Sequence, residues 1–209
     1  MTASVGINLL WLVPDQVGGS EQSTVATVTA LRDLAPADLA LRLFVLEPFV
    51  DAHPDLVASL PVEVLPMSGR SRLARIAGEA TWLAARTRRV DLVHHAGGTA
   101  PPLRGAPYVL TVHDLQPLER QATHGAVKRG YLGIAVPRSV RTARAVAVPS
   151  EHVRQSVLAR TGVEPHRVVA IPHGVTWPRP GATASEELRR RHGIAGPFVL
   201  YPAITYPHK

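Results

Sequence analysis

The chain contains no cysteine, and among its 209 residues only Lys128 and Lys209 are lysines. The absence of cysteine excludes a disulfide framework and any thiolate that could bind a metal or act as a nucleophile. Long apolar runs are also missing, because the first one, at 7–13, is far shorter than the roughly 20 residues that a membrane span needs. No charged segment precedes that run as in a signal peptide, so we expect a cytoplasmic protein.

Acidic residues are scarce relative to basic ones, 16 against 23, and the net charge is +7. Such a balance favours anionic partners such as phosphates, acidic lipid surfaces or nucleic acid. The alternative explanation is a genome rich in arginine codons, in which case the charge carries no function. The basic residues are interleaved with apolar segments and do not cluster with aromatic side chains, so we expect no nucleic-acid partner.

Short apolar segments alternate along the chain with segments of helical periodicity. The apolar segments predict strands at 7–13, 39–46, 62–65, 91–95, 108–112, 145–148 and 168–171. The helical segments lie at 21–33, at 71–89, at 124–144 with an interruption at Pro137, and at 150–160 with Ser150 as the N-cap. This alternation predicts an α/β fold: a doubly wound, Rossmann-like parallel sheet with helices on both faces.

The composition changes near residue 176. A stretch rich in proline and glycine, 176–183, has the character of a linker, and a short helix is expected at 185–192. One apolar strand, 198–201, follows and cannot bury a core of its own. We therefore expect a Rossmann-like domain at 1–176, a linker with a short helix at 177–195, and the first strand of a second domain at 196–209.

Two glycines, Gly18 and Gly19, join the first predicted strand to the first predicted helix. A glycine turn that opens a helix lets backbone N–H groups approach an anion closely, so this corner suits a phosphate. The pair lacks the spacing of the G-x-G-x-x-G and G-x-x-x-x-G-K-S/T phosphate motifs, and an ordinary strand-to-helix turn has the same composition. Both interpretations stay open on these residues alone.

Five short motifs follow predicted strands in an order that resembles family 4 of the GT-B glycosyltransferases. They are Gly18-Gly19-Ser20-Glu21, Thr111-Val112-His113-Asp114, Val148-Pro149-Ser150-Glu151, Ile171-Pro172-His173-Gly174-Val175 and the final segment 200–209. The resemblance covers the whole chain. It implies two doubly wound domains that face each other across a cleft. The N-terminal domain would receive the acceptor, and the C-terminal domain would hold a nucleoside-diphosphate sugar.

The resemblance also implies roles for single residues. His113 would face the transferred sugar and the reaction centre, with Asp114 orienting its loop. Gly18, Gly19 and Lys209 would contact the donor phosphates, Lys209 by neutralising charge on the leaving group. The remaining motif residues would line or support the acceptor side: Glu21, Ser150, Glu151, His173 and Gly174. Two departures stand out, because the family's paired glutamates would lie beyond Lys209, and an arginine common before that lysine is Ala203 here.

Several of these residues have a structural alternative. His113 could be a histidine that only bonds a backbone group. A metal site at His94, His95 and His113 is not expected, because no H-x-x-x-H or H-E-x-x-H spacing occurs and neighbouring residues of a strand point to opposite faces. The basic helix at 70–89, with Trp82 on its basic face, could contact an acidic membrane surface, or its arginines could simply be solvated.

The resemblance implies a retaining transferase that moves a hexose, such as mannose or glucose, from a nucleoside-diphosphate sugar to a glycan or lipid-linked acceptor in polysaccharide biosynthesis. The nucleotide sugar is the co-substrate, and no other cofactor is expected. A cleft needs both halves, so we expect the 209-residue chain alone to be inactive. The alternative is a non-catalytic α/β module that binds an anionic ligand or a sugar. A reading frame that continues past Lys209 would favour the transferase, and an immediate stop would favour the module.

Overall fold

A computed structural model of the chain describes residues 2–16, 18–102, 105–115, 126–174 and 183–200. The chain divides into two compact units, Met1–His173 and Gly174–Lys209. The first unit is built on a seven-stranded sheet. Its strands are β1 (Ala3–Asn8), β2 (Leu39–Leu46), β3 (Val62–Leu65), β4 (Leu92–His95), β5 (Tyr108–Thr111), β6 (Ala145–Val148) and β7 (Val168–Ala170).

All neighbouring strands are parallel, and their order across the sheet is β3-β2-β1-β4-β5-β6-β7. The order reverses direction between β1 and β4, which pair with Asn8 opposite His95. In open parallel sheets, such a reversal leaves a crevice at the carboxyl ends of the two strands, where ligands bind. The predicted doubly wound parallel sheet is confirmed.

Helices connect most of these strands. They are α1 (Gly19–Leu34), α2 (Glu47–Ala52), α3 (Pro54–Ser59), α4 (Arg72–Gly78), α5 (Ala84–Arg86), α6 (Ala126–Thr142) and α7 (Glu151–Thr161). Ser150 caps α7 as predicted, because its Oγ accepts a hydrogen bond from the Val153 N–H at 3.3 Å. The connection from β4 to β5, at 96–107, is the exception, since its described residues form no helix.

Buried apolar side chains cover the sheet on both faces. Leu43 of β2 belongs to the cluster that contains Val28 of α1, whereas the next residue, Phe44, belongs to a cluster with Leu83. Successive side chains of a strand point to opposite faces, so β2 packs against helices on each side. A third cluster joins β5 and β6 to α6 and α7 through Leu110, Val140, Val146 and Val157.

The first strand is placed differently from the prediction. The prediction of 7–13 is wrong, because the strand is Ala3–Asn8 and the apolar residues after it form a buried turn. Leu9, Leu10 and Leu12 are fully buried, and the Leu12 N–H donates to the Leu9 carbonyl at 3.0 Å. The apolar run continues past the strand because the loop itself lies in the core. Periodicity cannot distinguish such a loop from a buried strand.

The predicted helix at 71–89 is helical along almost its whole length but is not uniform. After α4, one π-helical turn (Glu79–Leu83) leads into α5 and then into a short 3-10 turn (Thr87–Arg89). The helical periodicity of the sequence predicts one apolar stripe with Leu73, Ile76, Ala80 and Leu83, and this is wrong at Leu73, which is 80% exposed, whereas Leu83 is fully buried. A π-turn inserts an extra residue into the helical repeat, so it changes which side chains face the sheet.

The interruption predicted at Pro137 is wrong, because α6 runs through it. Proline cannot donate the helical bond to the carbonyl four residues earlier, which here belongs to Gly133. The helix persists because Leu132, Val136 and Val140 around the proline are buried in the core. Packing against the sheet therefore offsets the lost hydrogen bond.

The described part of the second unit contains one helix, α8 (Ser185–Arg191). The strand predicted at 198–201 is not formed at 198–200, where these residues pair with no described strand. A strand needs a partner for its backbone hydrogen bonds, and this segment has none within the described residues. Residues 201–209 lie outside the described part of the chain. The predicted domain boundaries stay a prediction.

Candidate functional site

The carboxyl ends of the parallel strands bring the predicted site residues to one edge of the sheet. β1 leads into the loop before Gly19, β5 leads to His113, β6 to Ser150 and β7 to His173. These residues are far apart along the chain. They share an edge because every strand runs in the same direction.

His113 lies two residues beyond the end of β5, at the middle of this edge. Its Nε2 is 3.1 Å from the Ala96 carbonyl oxygen, which can only accept a hydrogen bond, so Nε2 carries the proton. Nδ1 is then an unprotonated acceptor, and it is buried without a partner among the described residues. Burial lowers the pKa of His113, the Ala96 bond and Asp114 oppose this, and His173 lowers the pKa further. The imidazole is therefore neutral at pH 7.

Trp11 forms one wall beside His113, with ring centroids 6.2 Å apart. Its carbonyl accepts a hydrogen bond from Nη1 of Arg75 at 2.7 Å. Its ring lies against Gly97, where an added Cβ would come within 2.4 Å of the indole. The Trp11 Nε1 and the Arg75 Nε are buried and, like Nδ1 of His113, have no hydrogen-bond partner in the part of the chain that the structure describes. Buried polar atoms without partners are rare, so three of them in one corner indicate a place for a polar ligand or water.

His173 lies on another side of His113, with ring centroids 5.8 Å apart. Its Nδ1 is 2.8 Å from the hydroxyl of Ser23 on α1. This contact ties the end of β7 to the helix that follows the glycine pair. The supporting role of His173 stays a prediction. Gly174 and Lys209 belong to the second unit, and Lys209 lies outside the described residues.

The glycine corner, Gly18 and Gly19, opens α1. Gly18 has φ of 76°, a conformation that residues with side chains rarely adopt, and a Cβ on either glycine would meet no described atom within 4 Å. Among the described residues, no side chain caps the first N–H groups of α1. Glu21 lies in the first turn, where its Oε1 accepts from the Asp15 N–H at 3.3 Å. The corner is open to an anion, but a nearby carboxylate weakens its attraction for one.

Ser150 and Glu151 have local roles at the start of α7. Ser150 is the N-cap, and Glu151 accepts from Gln155 at 2.6 Å and from Arg154 at 3.0 Å. These two bonds lower the pKa of Glu151. Asp114 is exposed beside His113. The functional roles proposed for these residues stay predictions.

Asn8, which the motifs do not single out, organises the polar groups behind this edge. It is 1% exposed, and its Oδ1 accepts from the Leu10 N–H at 3.0 Å, which identifies Nδ2 as the donating end. Nδ2 donates to Oε1 of Glu79 at 3.1 Å and to Nδ1 of His95 at 3.0 Å. The side chain thus joins the loop after β1, the π-helical turn and the end of β4. A lone asparagine in an apolar run is the sequence feature that points to it.

Glu79 is the member of this Asn8 network that changes charge near neutral pH. Burial raises the pKa of its carboxyl to about 7, and the Asn8 bond and the charge of Arg75 oppose that rise. His95 stays neutral, since burial lowers its pKa to about 3. The charge of the network therefore depends on the proton of Glu79.

His94 and His95 lie on opposite faces of the sheet, as the alternation of a strand predicts. Nε2 of His94 is 2.7 Å from the Thr111 hydroxyl, and burial lowers the pKa of His94 to about 4. His95 bonds Asn8 on the other face. In the described ranges, no three histidine, aspartate or glutamate side chains gather as metal ligands would.

The basic segment at 70–89 is partly engaged within the protein. Trp82 lies beside a basic residue as predicted, and it is half-buried because it also packs edge-on against Phe44 with ring centroids 6.2 Å apart. The Arg86 guanidinium lies 4.0 Å from the Trp82 ring centroid and also pairs with Glu63 at 3.0 Å. Of the helices in the described residues, none is long and apolar enough to cross a membrane.

The sequence of the chain matches one known protein family. Residues 17–176 match the family described as Glycosyltransferase Family 4. The chain belongs to glycosyltransferase family 4. The matched region includes the glycine corner, His113 and His173. A search of curated proteins gave no match.

Solved structures similar to this family 4 chain share its fold. HepE from Anabaena, in complex with UDP and glucose, is 15% identical over 93% of this chain and 51% of HepE, with a TM-score of 0.56. A putative UDP-N-acetylglucosamine 2-epimerase from Listeria monocytogenes is 14% identical over 80% of this chain and 44% of its own, with a TM-score of 0.52. The lipopolysaccharide outer core galactosyltransferase WaaB, in its apo form, is 11% identical over 87% and 50%, with a TM-score of 0.50. The chain thus spans about half the length of each.

Proposed function

We propose that this protein is the acceptor-side half of a GT-B glycosyltransferase. The enzyme would transfer a hexose, such as mannose or glucose, from a nucleoside-diphosphate sugar to a glycan or lipid-linked acceptor, as in polysaccharide biosynthesis. Membership of family 4 supports the transferase class. The UDP and glucose bound to HepE support a nucleotide sugar as the co-substrate. We propose no other cofactor.

The proposal rests mainly on the protonation and the hydrogen bonding of His113. Its neutral imidazole is held by the Ala96 carbonyl and lies near the rings of Trp11 and His173, and its unprotonated Nδ1 has no partner among the described residues. A lone pair in this place can accept a hydrogen bond from a sugar hydroxyl, and the Trp11 ring offers an apolar wall to the sugar. Aromatic walls with a few directed polar atoms are typical of small-ligand sites.

The other motif residues take roles around this centre. Gly18 and Gly19 would present the first N–H groups of α1 to the donor phosphates, and Lys209 would neutralise charge on the leaving diphosphate. Asp114 would orient the His113 loop. In a retaining reaction, the leaving diphosphate and the acceptor hydroxyl lie on one face of the sugar. A cleft with the acceptor on one domain and the donor on the other supplies that arrangement.

The 209-residue chain is expected to be inactive alone, because it spans about half the length of the solved structures that it matches. Reading the encoding DNA past Lys209 tests this. An open frame that encodes two glutamates eight positions apart would support the transferase. An immediate stop, together with sugar binding without turnover, would instead support the non-catalytic binding module.

Transfer by the product of the full reading frame tests the proposed activity. It would be assayed with UDP- and GDP-hexoses, and the product's anomeric configuration would be read by NMR. His113→Ala should lower kcat by about 100-fold. His152→Ala, at an exposed histidine of α7, is the matched control and should keep wild-type kcat. Equal rates for the two variants would remove His113 from the site, and an inverted product would exclude retention. Turnover by the 209-residue chain above its His113→Ala variant would overturn the expected inactivity.

A peripheral position on the inner face of the membrane is proposed for a lipid-linked acceptor. Leu73 is 80% exposed and has Arg70 and Arg72 nearby in the chain, both exposed. An apolar side chain among arginines suits an acidic lipid surface. Sedimentation with anionic vesicles should fall at least severalfold in Leu73→Asp. Equal sedimentation with neutral and anionic vesicles would exclude this position.

A further inference from the structure

A large cavity lies between α5 and α6, over the β4 strand. Its volume is about 910 Å³, and neither His113 nor the glycine corner lines it. The cavity follows from the connection at 96–107, whose described residues join two adjacent parallel strands without a helix. Such a connection usually covers the sheet with a helix. Without one, space remains between the helices on either side.

The walls of this cavity combine polar residues with small apolar ones. They include Leu83 and Ala84 near α5, Val93 of β4, and the prolines Pro101, Pro102 and Pro107. Proline and alanine cannot reorganise to fill space, because their side chains have almost no rotamer freedom. The walls therefore suit an apolar group of fixed shape.

The charged groups that line the cavity are all basic. Arg138 donates to the Ala100 carbonyl and Arg167 donates to the Ala143 carbonyl, so backbone contacts hold both guanidiniums in place. Arg167 also pairs with Glu164 at 3.1 Å, which offsets much of its charge, so Arg138 carries more of the positive field of the two. Burial raises the pKa of Tyr108 on its wall, and Arg138 and Arg167 are among the groups that oppose the rise. No described lining residue is an aspartate or a glutamate.

Arg144 also lines the cavity. Its backbone N–H donates to the Tyr108 carbonyl at 2.8 Å, which anchors its main chain. Its guanidinium has no hydrogen bond or ion pair with any described residue. Arg144 is exposed, so its main chain is anchored beside the cavity while its guanidinium is available to a ligand.

His95 adds a directed hydrogen-bond donor. It is 5% exposed and lines the cavity, with its ring edge-on to Tyr108 at a centroid distance of 5.1 Å. Asn8 donates to Nδ1, so the neutral ring carries its proton on Nε2. Nε2 has no partner among the described residues and is not sealed from solvent. This N–H group is therefore available to water or to a ligand.

We propose that this cavity binds a phosphate ester whose organic part is apolar. Arg144 pairs with the phosphate, Arg138 and Arg167 add positive field, and His95 Nε2 donates a hydrogen bond. The guanidiniums of Arg138 and Arg144 suit a phosphate better than a neutral sugar, although Arg167 is already paired with Glu164, and the proline and alanine walls take the apolar group. A soluble ester and a lipid phosphate share this chemistry. This site is independent of the proposed transferase site.

Titration of the 209-residue protein with 1-naphthyl phosphate, followed by amide NMR, tests the inference. We expect saturable shifts at Val93, Tyr108 and Arg144, with weaker binding of inorganic phosphate and of 1-naphthol. Arg144→Gln should raise the dissociation constant about tenfold or more, since it removes a charge-assisted contact. The matched control is Arg89→Gln, at an exposed arginine outside the cavity, which should stay within twofold of wild type.

Each result decides the question. Equal affinity in Arg144→Gln and Arg89→Gln would overturn the inference, as would equal binding of 1-naphthol and its phosphate. Shifts confined to Gly18 and Gly19 would assign the ligand to the glycine corner instead and would also overturn it. Ala84→Phe, which narrows the cavity from its wall, should weaken binding without removing a charge. Tighter binding of dihexanoyl phosphatidic acid than of naphthyl phosphate would identify a lipid source, and the reverse order a soluble one.

Discussion

Two polar clusters lie at the carboxyl edge of the same sheet, and they differ in how completely their hydrogen bonds are made. In the Asn8 network, both ends of the amide are paired, with Leu10 on one side and with Glu79 and His95 on the other. In the His113 corner, one polar atom on each of His113, Trp11 and Arg75 has no partner among the described residues.

This difference separates a cluster that holds the fold from one that can receive a ligand. A satisfied buried network is costly to disturb, because every broken bond leaves another group unpaired. In the His113 corner, the cost of leaving buried polar atoms unpaired is already present in the folded protein. A ligand that hydrogen-bonds to these atoms removes that cost. Substitutions of Asn8 or Glu79 should therefore act mainly on stability, and substitutions in the His113 corner mainly on binding and turnover.

Asn8→Ala is the substitution with the largest expected effect. It leaves the Leu10 N–H, Glu79 and His95 without their shared partner, so the free energy of unfolding should fall by about 4 kcal/mol. Urea unfolding at pH 7 measures it. Gln22→Ala, at an exposed amide residue of α1, is the control and should change stability by under about 0.5 kcal/mol. Equal losses in the two variants would refute the role of the network.

Glu79→Gln should change the pH dependence of stability. The folded pKa of Glu79 is raised to about 7, so between the ordinary value of 4.5 and 7 the folded state holds a proton that the unfolded chain releases. Its contribution to stability is complete below pH 4.5 and is lost as the pH rises to 7. As the pH rises from 4.5 to 7, the free energy of unfolding of the variant should therefore increase by about 3 kcal/mol relative to that of wild type.

His94 and His95 act in the opposite direction, because burial lowers their pKa values to about 4 and about 3. Their contribution to the free energy of unfolding grows as the pH rises towards the ordinary histidine pKa of 6.5. It is the same in wild type and in Glu79→Gln. The difference between wild type and Glu79→Gln therefore isolates the carboxyl. Unfolding curves from pH 4 to 8 give that difference, and a constant value across the range would contradict the raised pKa.

Gly97→Ala tests whether the Trp11 ring, which lies beside His113, packs against the loop that follows β4. The added methyl would come within 2.4 Å of the Trp11 ring, so the ring must move, at a cost of about 2 kcal/mol. Gly19→Ala is the control, because a Cβ there meets no described atom within 4 Å. Unfolding and tryptophan fluorescence should change for Gly97→Ala alone. An unchanged spectrum in both variants would count against this packing.

His113→Ala should have the smallest effect on stability. It removes one hydrogen bond, to the Ala96 carbonyl, and costs about 1 kcal/mol, in contrast to the large loss of activity expected in the full enzyme. Thermal unfolding measures the change. A loss as large as that of Asn8→Ala would erase the difference between the two clusters.

Much of the fold follows from local features of the sequence. Strands buried on both faces produce short apolar runs, and six of the seven strands predicted before residue 176 lie within one or two residues of their place in the structure. The Ser150 cap is equally local, because its bond spans three residues. Predictions failed where distant contacts outweigh local preference, as at Leu9 to Leu12 in the core and at Pro137 within α6.

The residues of the candidate site also fall into two groups, those that the sequence indicates and those that only the fold brings together. His113 and the glycine corner stand in recognisable motifs, so the sequence indicates them. Asn8 and its partners do not, since Glu79 is 71 residues away and His95 is 87 residues away along the chain. Trp11 and Ser23 likewise join the site through contacts with Gly97 and His173 that no spacing reveals.

The order of apolar and helical segments by itself determined the parallel α/β fold, because each segment's periodicity records which of its faces must be buried. The motifs by themselves indicated the family to which the chain belongs. Only the tertiary structure decided which polar groups are paired and which are left open. Hydrogen bonds have a short range, and their partners here come from strands that the sheet order, and not the chain, makes neighbours.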